Sequence, residues 1–132
     1  EANSYDGPAL IVAYSPCQQH GMPAKLGMSH QADEQRKAVE SGYWPLYRYD
    51  PRRREKGENP FQLDFKKLKI QVSEFLEGEN RFAMLDRANP EKAKMLHEEL
   101  QKEVEKRHAE RVRMAMSDKQ LYKELKKTYG KK

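Results

Sequence analysis

Hydrophobic positions along the chain follow two different rhythms. From Ala9 to Tyr14 every residue is apolar, the pattern of a strand covered on both faces, as in parallel sheets. Gly7-Pro8 before it is turn punctuation and Pro16 ends it. Residues 18–28, with Gly21, Pro23 and Gly27, read as loop. Ser29 stands where it could cap a helix running to about Ser41, with Ala32, Gln35, Ala38 and Val39 turned inward and Gly42 just past its end. The aromatic stretch Tyr43 to Tyr49 reads as a second strand. Pro45 lacks a donor, which suits an edge position or the first residues of that strand.

The second half has a spacing of three and four. A long surface connection over residues 50–69, rich in Arg and Lys, comes first; such connections are usually functional or wrap another part of the protein. A helix is expected from Ser73 to about Arg87, carrying Phe75, Leu76, Phe82 and Leu85. Asn89-Pro90 then gives an N-cap followed by proline at the first helical position. The helix it opens runs to about Met116 with an inner stripe of Ala93, Leu96, Leu100, Val104, His108, Val112 and Ala115. Ser117 and Gln120 have capping-box spacing and introduce a short helix with Leu121 and Leu125.

Strand, helix, strand makes a βαβ unit, whose strands should be parallel with a right-handed crossover. Two strands are not a stable sheet. The expected fold class is therefore α/β: a helix-rich piece of a larger domain, with a βαβ unit followed by helices.

Composition sharpens this picture. Leu, Ile, Val and Phe make up 22 of 132 residues, under the roughly 20% at which a chain buries a core comfortably. The net charge of +5 is too small for a disordered chain. The core must then be thin and aromatic, or be completed by surfaces outside the chain. One cysteine excludes an internal disulfide framework. No basic segment followed by an apolar run opens the sequence, and no apolar stretch is long enough to cross a bilayer. A soluble protein in a reducing, cytoplasmic setting is expected.

The candidate chemistry gathers at Cys17, at the carboxyl end of the first expected strand, the edge where open α/β sheets bind ligands. A cysteine is most often a small buried hydrophobe. Cys17-x-x-His20 is half of a zinc pattern without a second pair. A thiol–histidine nucleophile there has no motif around it. The remaining option is a metal or cluster ligand completed by cysteines outside this chain. His20, His30, His97 and His108 do not cluster in sequence, and Arg52-Arg53-Arg54 reads as a solvated or interface loop, with no nucleic-acid module beside it.

Four segments occur in order: AYSPCQQHG, GMSHQADEQRKAVESGYWPLYRYDP, GENPFQLD and FLEGENRFAMLDRANPEKA. Together they resemble the pyruvate:ferredoxin (or flavodoxin) oxidoreductases, in the C-terminal part of the thiamine-diphosphate-binding domain. The resemblance covers residues 1–116; residues 117–132 form a basic helical tail outside it. It implies an enzyme that decarboxylates pyruvate with coenzyme A to acetyl-CoA and carbon dioxide, or runs the reverse. Thiamine diphosphate and magnesium serve the carbon chemistry, and 4Fe-4S clusters pass electrons to ferredoxin or flavodoxin. The full-length enzyme would be a homodimer, with no nucleic-acid or membrane partner.

The resemblance assigns Cys17 as a ligand of the cluster nearest the thiamine, and no other residue here as catalytic. The other cluster cysteines and the magnesium diphosphate ligands lie in the family outside this chain, so the chain alone is expected to bind neither cofactor and to be inactive. Gln18 and Gln19 depart from the small or apolar residues usual at those positions. A different class of reading stays open beside this one: a non-catalytic binding or scaffold module derived from the same domain.

Overall fold

The computed structural model describes residues 1–17 and 28–121. Among these, the regular elements are α1 (Gln31–Glu40), β1 (Tyr47–Tyr49), β2 (Phe61–Leu63), α2 (Val72–Leu76), α3 (Asn80–Ala88) and α4 (Pro90–Met114). None of the helices is long and apolar enough to cross a membrane.

The core sits where α1, α2 and α4 meet. Ala38, Val72, Phe75, Leu76 and Val104 are buried there, with Tyr14, Tyr43, Trp44, Leu68, Phe82 and Leu100 packed around them. Fully burying a Val, Leu or Phe side chain stabilises by roughly 1.5–3 kcal/mol. So few of them makes the aromatic surround important. Tyr43 and Phe75 pack with tilted rings, centroids 4.6 Å apart, and Phe82 meets Tyr43 edge-on at 6.4 Å.

Helix α1 ends at Gly42, whose φ of +82° continues the chain where a side chain would be strained. The turn lets Trp44 N–H donate to Ala38 O at 2.8 Å, which folds the aromatic stretch back over the helix. Helix α4 opens as its sequence dictates: the Asn89 side chain accepts from Lys92 N–H at 3.1 Å, with Pro90 at the first position. The Ser117–Gln120 capping box is also formed, Gln120 Oε1 accepting from Ser117 N–H at 3.0 Å.

Four expectations need correction. The parallel βαβ unit is not formed among the described residues. β1 pairs antiparallel with β2, Tyr47 opposite Leu63 and Tyr49 opposite Phe61. β2 lies inside the stretch expected to be a bare connection, because Phe61 and Leu63 alternate inward around Gln62. Residues 9–14 are neither helix nor strand, and Leu10, Ile11 and Val12 are 87%, 76% and 68% exposed. A strand exists only against a ladder partner, and β1 spends its pairing on β2.

The second correction is the helix expected over 73–87. It is two helices, broken at Gly78 and Glu79, where Glu79 takes an extended conformation (φ −114°, ψ 109°). Third, Ser29 lies in a 3₁₀ turn, Met28–His30, and α1 begins after it without a side-chain cap. Fourth, the inward face of α1 is Glu34 and Ala38, while Ala32 and Gln35 are exposed. Gly78 explains the buried glutamate: with no Cβ at that position, the Glu34 carboxylate lies against its backbone.

The basic loop is absorbed by the fold. In the 3₁₀ turn Pro51–Lys56, Arg52 clasps the Asp50 carboxylate and donates to Ser4 O at 2.7 Å, and Arg53 pairs with Glu58 at 2.9 Å. Arg48 forks onto Asp64 and reaches Glu1 at 2.8 Å. These contacts fasten residues 1–4 to the β1–β2 hairpin.

Candidate functional site

Cys17 ends the first described stretch, and its side chain is exposed. The buried-hydrophobe reading therefore fails for this chain. The positions just before it explain how an exposed thiol is held. Ser15 is exposed, Pro16 is buried, and Tyr14 is the anchor. Tyr14 lies 5.5 Å from Trp44 and meets Tyr43 and Phe75 edge-on at 6.5 and 6.4 Å, ring centroid to ring centroid. Its carbonyl accepts from Gln35 Nε2 at 3.4 Å. Its hydroxyl donates to Glu79 Oε1 at 3.2 Å.

Glu79 is fully buried, and Arg81 Nη2 stands 2.9 Å from its second oxygen. The break between α2 and α3 makes this contact. Had the helix run on through Gly78, the glutamate would be an ordinary helical residue. Burial pushes the Tyr14 hydroxyl up to about 12, helped by the Glu79 charge and its hydrogen bond. Burial, the largest single influence, pulls the Arg81 guanidinium down, but the Glu79 charge and hydrogen bond together with Tyr14 and Tyr43 outweigh it and its pKa rises.

Residues 1–17 are thus tied at both ends. Arg48 and Arg52 hold the first turn, Tyr14 and Pro16 hold the far end, and the apolar run Leu10–Val12 stands exposed between them.

The described histidines do not gather. His108 Nε2 lies 3.0 Å from Lys66 O, and His97 Nε2 lies 3.8 Å from Asp86. His30 sits in the turn before α1. His20, like Gln18 and Gln19, lies outside the described residues, and with it the zinc and nucleophile readings of Cys17-x-x-His20. No group of three or more His, Cys, Asp or Glu among the described residues could hold a metal. As a ligand set, the chain offers one accessible thiol. That fits one corner of a thiolate-held cluster and not a whole one.

The cluster of Tyr14, Glu79 and Arg81 gives little sign of itself in the sequence. Tyr14 looks like the last member of an apolar run, and Glu79 one of many charges. The available signal was Gly78, a glycine inside a helical pattern, which marks either a break or a close approach. Here it marks both.

The fold and this site define a helix-rich α/β segment that presents a single anchored thiol. No family model matches the chain. Curated proteins do. The chain is 48% identical over 100 residues to a mitochondrial pyruvate dehydrogenase (NADP+) of Euglena gracilis, covering 76% of the chain and 5% of that protein. It is 49% identical over 96 residues to the pyruvate:ferredoxin oxidoreductase of Moorella thermoacetica, covering 73% of the chain and 8% of that protein. It is 46% identical over 107 residues to a pyruvate-flavodoxin oxidoreductase of Nostoc, covering 81% and 9%. By sequence the chain belongs to the pyruvate:ferredoxin/flavodoxin oxidoreductase family, and it spans between 5% and 9% of the length of these relatives.

Proposed function

We infer that residues 1–116 are the C-terminal part of a thiamine-diphosphate-binding domain in a 2-oxoacid oxidoreductase, with residues 117–132 a tail added to it. The whole protein would be a cytoplasmic enzyme that converts pyruvate and coenzyme A to acetyl-CoA and carbon dioxide, or the reverse. In this reading it acts as a homodimer and exchanges electrons with ferredoxin or flavodoxin. The relatives' names carry NADP+, ferredoxin and flavodoxin, so the shared segment is common to enzymes named for different acceptors.

The observation that carries this reading is Cys17, an exposed thiol on a segment anchored by Tyr14 and Pro16. When bound, a 4Fe-4S cluster supplies a one-electron acceptor close to the carbon chemistry. In this chain Cys17 would give one thiolate to it. The other thiolates, and the groups that hold magnesium and thiamine diphosphate, would come from the rest of the protein. The exposed run Leu10–Val12 supports the same reading. Three large apolar side chains in a row in water are a patch that calls for cover, and a strand slot in the parent sheet would provide it.

The experiment is Cys17→Ser in the full-length oxidoreductase. Carbon dioxide release in a single turnover should persist, while turnover to acetyl-CoA falls much further and the electron paramagnetic resonance signal of one cluster is lost or altered. A variant with the full set of cluster signals and normal turnover refutes the ligand role and favours the non-catalytic module.

A further inference from the structure

The chain contains a fully buried carboxylate that the functional reading leaves unused. Glu79 is 0% exposed, and burying a charge is costly unless it is paired and hydrogen-bonded. Its two polar contacts differ in kind. Arg81, two residues on, neutralises it from a partly exposed position. Tyr14 reaches it from 65 residues away in sequence. Arg81 balances the charge at Oε2 but leaves Oε1 to the Tyr14 hydroxyl, and a purely packing aromatic at position 14 would be served by phenylalanine.

The hydroxyl therefore adds something the ring does not: a directional tie between the α2–α3 break and the segment that carries Cys17. Only Ser15 and Pro16 separate Tyr14 from the thiol. Pro16 is buried, and its ring fixes φ near −65°. Few soft dihedrals remain between anchor and thiol, so a shift at Tyr14 is carried to Cys17. Gln35 Nε2, donating to the Tyr14 carbonyl at 3.4 Å, holds the same residue from α1.

We propose that Tyr14 and Glu79 are a positioning pair: the hydrogen bond between hydroxyl and buried carboxylate sets where Cys17 leaves the helical unit, and so sets the geometry of the iron it ligates. This rests on the reading of Cys17 as a cluster ligand. Neither residue touches the cluster; both act through the chain. Groups that orient metal ligands from behind are worth about 10–100-fold in metal affinity or activity.

The test uses the complete oxidoreductase with its clusters and thiamine diphosphate, and reads cluster lifetime against an iron chelator together with electron paramagnetic resonance. Tyr14→Phe should lose the cluster that Cys17 ligates about tenfold faster and shift its g-values, with the other clusters unchanged. Glu79→Gln, whose amide oxygen still accepts from Tyr14, should recover most of the lifetime. Glu79→Leu, which removes acceptor and charge together, should behave like Tyr14→Phe and serves if that variant fails to accumulate. The Tyr14→Phe/Glu79→Leu double variant should be no worse than either single one.

Variants that melt earlier but keep wild-type cluster lifetime and g-values overturn the proposal, since that is what a packing role predicts. Cys17→Ser in the same preparation separates the two levels. If it loses the cluster while Tyr14→Phe does not, only the positioning pair fails. If it keeps every cluster, the ligand reading fails and the pair falls with it.

Discussion

The Tyr14 hydroxyl donates to Glu79 Oε1 at 3.2 Å, joining the end of the exposed apolar run to the break between α2 and α3. The hydroxyl is pushed up from its ordinary value to about 12, by burial first and by the Glu79 charge second. A raised pKa means that the folded state holds its proton where the unfolded chain has begun to lose it. The stabilisation is complete below about pH 10 and disappears as pH rises toward 12. Tyr14 is half-buried, so solvent screening leaves on the order of 1 kcal/mol. Unfolding free energies of wild type and Tyr14→Phe, compared between pH 9 and 12, should converge as pH rises. A constant gap would remove Tyr14 as the titrating group.

Gly42 is irreplaceable for two reasons at one position. Its φ is +82°, and an added Cβ would lie 2.7 Å from Leu68 Cδ2 and 3.0 Å from Val104 Cγ1. Gly57 has φ +69° with open space around it. Gly57→Ala should cost about 1 kcal/mol, the left-handed penalty alone. Gly42→Ala should cost that plus about 1–3 kcal/mol of overpacking. Denaturant midpoints of the two variants give the comparison, and equal losses would mean that Leu68 and Val104 yield freely.

Gly78 and Glu34 should be coupled. An added Cβ at Gly78 overlaps the Glu34 carboxylate, which is 2% exposed and held by Lys37 Nζ at 2.8 Å. Gly78→Ala should destabilise by about 1–3 kcal/mol. In Gly78→Ala/Glu34→Ala the loss should be smaller than the sum of the single losses by about 0.5–3 kcal/mol. Additive losses in a double-mutant cycle would show that the carboxylate swings aside at no cost.

Ile11→Lys separates the helical unit from its surroundings. Ile11 is 76% exposed, and exposed substitutions change stability by about ±0.5 kcal/mol. The midpoint of this chain should hardly move. In the complete oxidoreductase the same change places a charge where a covered strand is proposed, and soluble, cluster-containing enzyme should be lost. Normal yield of loaded enzyme would mean that the run stays in water there too.

What could be read from the sequence was what local chemistry decides. Asn89-Pro90 opened α4 and Ser117 with Gln120 closed a capping box, because a cap needs only residues three or four apart. On the expected stripe of α4, Val104 is in the core and Leu100 packs against it for the same reason, while Leu96 on that stripe is exposed. Relations that depend on distant partners were not legible. Ala9–Tyr14 has the composition of a buried strand, but what makes a strand is its neighbour, and no described residue pairs with it. β2 was hidden in a charged connection because three residues are too few for a period, and it forms only against Tyr47–Tyr49.

Cys17 stands out in the sequence by its place at the end of an apolar run. What holds it does not. Glu79 meets Tyr14 only through the break at Gly78, and a glycine within a helical pattern reads equally as a tolerated interruption.

The distance in sequence between Tyr14 and Glu79 also has a consequence during synthesis. The tyrosine leaves the ribosome 65 residues before its carboxylate, and at 5–20 residues per second that is roughly 3–13 s. For that interval Leu10, Ile11 and Val12 travel on a segment whose anchor does not yet exist. Chaperone capture at this stage would act on those three side chains before the aromatic cage has fixed their position.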